Sequence, residues 1–228
     1  MNLPLLLVAA PLLGGASPEG TGATAGATLW AGHLVAHGTR AIPFHGTVRT
    51  RSDTYVLARL TPQGEGFVLT QEPCRIAFQP TAGVQLSMGV HGLPRERVRL
   101  ATHGSTFEGR SEVVWDRDDI DGDGHPGMTV SIASRLCSGD LYISHHARSS
   151  STAYFTDARA RLVGHAEVHI RQEVLGSNSV CLRVVARTSD EVVRGPIAYV
   201  PVAADATCQG LLRHGWPVDA ESLPAPAR

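Results

Sequence analysis

The sequence predicts an all-β protein, an antiparallel up-and-down barrel, with a two-sheet β-sandwich as the alternative. Three observations carry that expectation. Apolar and polar residues alternate with period two over much of the chain. β-branched and aromatic residues dominate those stretches, and Gly- and Pro-bearing turns separate them at short intervals. A closed barrel is favoured because it leaves no sheet edge exposed. The absence of a fixed-period repeat counts against a propeller or solenoid.

Taken in chain order, the first element is a leader. Residues 3–13 form an apolar run of 11 residues, too short to span a bilayer comfortably. Gly14, Gly15 and Ala16 follow and satisfy the small-x-small rule for cleavage before Ser17. No Lys or Arg precedes the run. The pattern predicts a signal peptide over 1–16 and a secreted or periplasmic location. Residues 17–27 are small and polar and read as a flexible lead-in. A single β domain is expected over 28–222, and the Pro- and Ala-rich residues 223–228 read as a disordered tail.

Within the domain, residues 47–60 carry β-branched and aromatic residues with no helical stripe. Residues 66–71, 97–102, 111–115, 128–133, 140–144 and 180–186 read as strands on the same grounds. The clearest strand is 163–174. Ala166, Val168, Ile170 and Gln172 fall on one face and His165, Glu167, His169 and Arg171 on the other, the pattern of a half-buried antiparallel strand. Residues 152–156 can pair with it through a turn near 157–161. A short helix is expected near 203–213. A meander of this length gives a barrel that is lipocalin-like in shape. Such a barrel can hold one small apolar ligand.

Four cysteines, Cys74, Cys137, Cys181 and Cys208, predict two disulfides in an oxidising compartment. Avoiding interlaced loops suggests Cys74–Cys137 and Cys181–Cys208. No CxxC is present, which argues against a zinc knuckle. The chain holds no lysine, since all 20 of its basic residues are arginine. Phosphate-cradling GxxxxGK[ST] loops, Schiff-base chemistry and SxxK acyl enzymes are thereby excluded. No GxSxG elbow is present. The balance of 20 basic against 21 acidic residues implies no general attraction to nucleic acid or anionic membrane. The local arginine groups at 49, 51, 59 and at 95, 97, 99 read as polar strand faces, and aromatics at 5% leave few stacking platforms.

One segment carries convergent chemistry. Asp116, Asp118, Asp119, Asp121 and Asp123 put five carboxylates into eight residues, followed by Gly124 and His125. Counting Asp119 as position 1 places Asp121 at 3, Asp123 at 5, Gly124 at 6 and the His125 carbonyl at 7. Hard cations take several oxygens at about 2.3–2.6 Å, and a turn with a carboxylate at alternate positions supplies them. The expected ligands are Asp119, Asp121, Asp123 and His125, and the expected ion is a structural calcium held in the roughly 10⁻⁴–10⁻³ M range. Over residues 119–127 the loop resembles those of EF-hand, dockerin and FG-GAP proteins. It departs from them at Gly127, position 9, where FG-GAP loops usually carry Asp, and at Val130, position 12, where an EF-hand carries Glu. Its flanks read as strands.

A wider resemblance rests on residues 40–51, 72–74, 119–130 and 172–175. These look like an uncharacterised group of exported β-rich proteins from GC-rich bacteria, a resemblance that brings no activity with it. The sequence therefore leads to an exported protein that binds a small ligand or serves a structural role in the envelope. The alternative is a metal-dependent hydrolase working on the strand face of His165, Glu167 and His169, whose neighbours lie ~6.6–6.8 Å apart on a strand.

Overall fold

The computed structural model describes residues 27–42, 46–156 and 160–222. The expected signal peptide and tail, nearly all of the lead-in and most of the expected 157–161 turn lie outside the described residues. Ten strands and two short helices run in the order β1 (Thr28–Ile42), β2 (Gly46–Gln63), β3 (Gly66–Phe78), β4 (Gln85–Met88), β5 (Glu96–His103), β6 (Thr106–Trp115), β7 (Met128–Ala133), β8 (Gly139–Thr156), β9 (Arg161–Ser177), α1 (Val180–Val185), β10 (Ser189–Pro201) and α2 (Cys208–His214).

All ten strands belong to one antiparallel sheet ordered β4-β7-β8-β6-β5-β3-β2-β1-β10-β9, and a β8–β9 ladder joins the run back on itself. Eight strands therefore form a barrel-like ring in the chain order β1, β2, β3, β5, β6, β8, β9, β10, an up-and-down meander. This is the expected fold. The extra pair β4–β7 widens one end. Strand β8 is long enough to share one edge, with β7 along 139–143 and β6 along 145–153, while β9 takes its other edge.

The alternation seen in the sequence sets the two faces of the wall. Ala166, Val168, Ile170 and Gln172 of β9 face the ring interior, and His165, His169 and Arg171 on the other face are exposed. Bulges interrupt the count twice. Between Tyr55 and Val56 the register with β3 slips so that Cys74 has no partner, and between Tyr142 and Ile143 Leu175 is skipped. Each extra residue re-aims the positions after it.

The ring is filled at one end and hollow towards the other. Trp30, Val56, Ala58, Leu60, Leu69, Val98, Leu100, Leu162 and Tyr199 form the main core. Phe67, Phe107 and Phe155 pack edge to face beneath it with centroids 5.3–5.7 Å apart. A second, smaller core lies outside the wall. Residues 215–222 cross β1, covering Val35, Val163 and Ala198 with Val218 and Ala220. Trp216 Nε1 donates to the Gly32 carbonyl at 3.0 Å, and its ring meets Tyr55 edge-on. Beneath this strap, His33 Nδ1 accepts from the Ala220 N–H at 3.0 Å, which leaves Nε2 as the donor to Asp53 at 3.1 Å. Arg51 grips the same carboxylate with two hydrogen bonds.

Two sequence expectations are corrected. Residues 180–186 do not form a strand: Val180–Val185 is helix α1, capped by the Ser179 hydroxyl accepting from Leu182 N. β9 pairs with β8 along 161–177 and with β10 along 162–172, and the segment after it instead buries Leu182 and ties Cys181 to Cys137. The pairing of cysteines is Cys74–Cys208 and Cys137–Cys181, with Cα separations of 5.2 and 5.9 Å. A nested pairing is as free of interlaced loops as the sequential one. The ring decides between them: β8–β9 pairing brings the β7–β8 turn beside α1, and the chain leaving β10 returns to the outer side of β3. The expected helix near 203–213 is present as Cys208–His214.

Candidate functional site

A cavity of about 370 Å³ occupies the hollow part of the ring. Its walls are mainly aliphatic, with Ile76, Leu86, Leu93, Val113, Val130, Ile132, Ile143, Val168, Ile170 and Val193 among them. Cavities of this size and character accommodate small organic ligands. Two groups of polar side chains interrupt the apolar lining at different depths.

The deeper group rests on the main core. Tyr199 OH donates to Gln71 Oε1 at 2.8 Å, and Gln71 Nε2 donates to Glu96 Oε2 at 2.7 Å. From the other side Ser111 Oγ donates to Glu96 Oε1, and the Ser111 and Ser149 hydroxyls lie 2.5 Å apart. Because the Ser111 proton is committed to Glu96, Ser149 is the donor to Ser111. Five strands thus direct one chain of hydrogen bonds onto one carboxylate. Burial, with the nearby Glu96 charge, pushes the Tyr199 hydroxyl far up, so it stays a neutral donor.

The second group lies nearer the β4–β7 end. Arg40 pairs with Glu191 at 2.5 Å and donates to Gln172 Oε1 at 2.8 Å. The Gln172 amide lies 3.3 Å from His145 Nδ1, and the His145 ring stacks on Trp115 with centroids 4.3 Å apart. Burial, reinforced by the charges of His146 and Arg40, pushes the His145 imidazole down to about 4. Arg40 Nε and Trp115 Nε1 are buried donors with no acceptor. The two groups are separated by the four residues from His145 to Ser149, roughly 13 Å along β8 at about 3.3 Å per residue.

The acidic loop connects β6 to β7 outside this cavity. The structure brings Asp119, Asp121 and Asp123 together, with one oxygen of each within 4.8 Å of the others, so the group could hold a metal ion. Asp119 accepts from the N–H groups of Gly122, Asp123 and Gly124. Asp123 accepts from Thr129 Oγ1 at 2.6 Å and from His125 N at 2.9 Å, which hold its carboxyl below the usual range, the Thr129 bond most. Asp121 Oδ2 accepts from Thr129 N at 3.0 Å, while its Oδ1 is buried without a partner. An orphaned carboxylate oxygen facing two other carboxylates fits a hard cation. The His125 ring stacks on Tyr142 at 4.1 Å. Asp116 accepts from Arg117 N and is not part of the cluster.

No protein-family model, curated protein or solved structure matches this chain.

The face of His165, Glu167 and His169 looks outward into solvent. Glu167 is held by His169 at 3.0 Å and by Arg194, and these partners lower its carboxyl, Arg194 more than His169. Among the described residues, Asp119, Asp121 and Asp123 are the one group of three or more His, Cys, Asp or Glu side chains with converging ligand atoms. All four cysteines are disulfide-bonded.

Sequence reasoning missed Gln71, Glu96, Glu191, Tyr199 and Arg40, and weighed His145 only as a weak pair with His146 or with Cys137, which is disulfide-bonded. A signal was present for two of them. Glu96 precedes Val98 and Leu100 on the inward register of β5, and Glu191 precedes Val193 and Ile197 on that of β10. A charged residue in the apolar column of a strand marks either a rim or a site.

Proposed function

We propose that this protein is an exported carrier or receptor of a small, mostly apolar molecule, which it holds inside the ring. The observation that carries the reading is the aliphatic cavity of about 370 Å³ with a few converging polar groups. A ring filled throughout would instead suit a purely structural envelope role. Two disulfides support an oxidising compartment. Among the described residues no helix is long and apolar enough to cross a membrane.

Trp115 lines the cavity and reports occupancy. Titration of the protein with short-chain lipids and other small apolar molecules is expected to change tryptophan emission saturably, with one site per chain. Native mass spectrometry of protein purified from its source should show bound small molecules. Emission unmoved by every candidate, together with a bare mass, sinks the reading.

The ion proposed for Asp119, Asp121 and Asp123 is calcium in a stabilising role, on the grounds of three hard oxygen ligands and an orphaned Asp121 oxygen. With a dissociation constant near ~1 mM, ten millimolar calcium should stabilise the fold by roughly 1.4 kcal/mol through mass action. A rise in melting temperature that magnesium does not reproduce, and that Asp121→Asn abolishes, is the expected result. An unchanged melting temperature removes calcium from the account.

A further inference from the structure

We infer that the cavity selects a ligand with a cationic, hydrogen-bond-donating head, an alkyl amine in chemical class, and that Glu96 receives that head. This rests on the ligand-binding reading and goes further by assigning the ligand's polar end.

The inference comes from charge accounting inside the ring. Five charged residues line the cavity, Arg40, Arg51, Glu96, Glu191 and Arg194; Arg51 and Arg194 turn their side chains to Asp53 and Glu167 on the outer face, leaving Arg40, Glu96 and Glu191. Arg40 and Glu191 neutralise each other at 2.5 Å. Glu96 has no cationic partner among the described residues; its two oxygens accept only from neutral donors, Gln71 Nε2 and Ser111 Oγ. A carboxylate offers about four lone-pair sites, so room for two more donors remains. An ammonium supplies both the charge and the protons, and charge-assisted hydrogen bonds of this kind are roughly twice as strong as neutral ones.

The surroundings reject the opposite charge. A carboxylate head placed deep would face Glu96. Placed near the β4–β7 end, it could accept from Arg40 Nε and Trp115 Nε1, but Glu191 already neutralises the Arg40 charge, so no net positive charge meets it there. The chain Tyr199–Gln71–Glu96–Ser111–Ser149 fixes the acceptor in place, since each donor in it is held by another strand. Between Glu96 and the Arg40–His145 group the wall is aliphatic, which suits an extended hydrocarbon tail.

The test compares decylamine, decanol and decanoate by calorimetry at neutral pH, on the wild-type protein, Glu96→Gln, and Glu65→Gln as an exposed-charge control. The amine is expected to bind about tenfold or more tighter than the alcohol, the worth of a hydrogen bond to a charged group. Decanoate is expected to bind weakest. In Glu96→Gln the amine's advantage should vanish while decanol affinity holds; Glu65→Gln should change neither. If decanol binds as well as decylamine to the wild type, or if Glu96→Gln keeps the preference, the head-group assignment is wrong and the cavity reading stands. If none of the three binds, both fall. The wild-type comparison decides the matter even if Glu96→Gln fails to fold.

Discussion

The residue that best explains this chain's departure from known calcium loops is Gly127. It stands where an FG-GAP loop would carry an acid, and its backbone admits no side chain: φ is +76°, and a Cβ there would lie 2.2 Å from the Ile143 carbonyl oxygen. The loop must press against β8 at this point, and its N–H bonds back to the Arg117 and Asp118 carbonyls. Gly122 has a similar φ of +73° but open space around it. The two sites separate strain from collision. Gly122→Ala should cost about 1 kcal/mol, the left-handed penalty alone, whereas Gly127→Ala should cost about 3 kcal/mol or more because backbone must shift. Urea denaturation of the two variants checks this, and equal losses would contradict it. The aspartate spacing was legible in the sequence because one turn holds all three side chains. Glu96 was not, because its partners Gln71 and Ser111 come from two other strands, their own partners Tyr199 and Ser149 from two more, and no local pattern assembles them.

At the scale of elements, the disulfides show what spacing can and cannot tell. Cys74 and Cys208 are 134 residues apart, and Cys137 and Cys181 are 44 apart. Chain-entropy reasoning assigns about 5 kcal/mol to the first and about 4 kcal/mol to the second. The first also ties the start of α2, and so the strap that follows it, to β3. Replacing Cys74 and Cys208 together with serine should therefore destabilise more than replacing Cys137 and Cys181. It should also speed proteolysis within 215–222. Chemical denaturation with protease digestion of both double variants is the measurement; a larger loss in the second pair would reverse the ranking. Strand legibility followed burial. β9 was plain because one face meets the cavity and the other meets water. β1 escaped because the strap buries its second face too: Ala31, His33 and Val35 lie outside the wall yet are covered, which erases the alternation. α1 was misread because β-branched Val180, Val184 and Val185 favour strands locally, a preference overruled by the Ser179 cap, the burial of Leu182 and the Cys137–Cys181 bond.

For the molecule as a whole, closure makes stability a shared property, since each of the eight ring strands is paired on both sides. Protonation anywhere in the wall therefore bears on global unfolding, and His145 and Asp53 act in different parts of the acid range. His145, inside, has its imidazole pushed from 6.5 down to about 4 by burial. The unfolded chain binds a proton in that interval that the folded chain refuses, so stability falls as pH drops from about 6.5 to about 4 and this contribution is flat below. The full loss is about 3 kcal/mol. Asp53, outside under the strap, is pushed up by burial. Its contacts with Arg51 and His33 prevail and leave it lowered. Its contribution is present above its unfolded value near ~4 and is lost as pH falls below that. A pH series of urea unfolding curves should thus show two successive declines. His145→Gln, whose amide can still meet Gln172, should flatten the first and leave the second intact. Asp53→Asn should leave the first intact, lower stability at neutral pH by releasing Arg51 and shrink the decline below pH ~4, to which the lowered carboxyls of Glu112, Asp123 and Glu167 also contribute. If His145→Gln keeps the loss between pH 6.5 and 4, the imidazole is not the group that refuses the proton, and the cavity near β4–β7 must be wetter than its aliphatic wall implies.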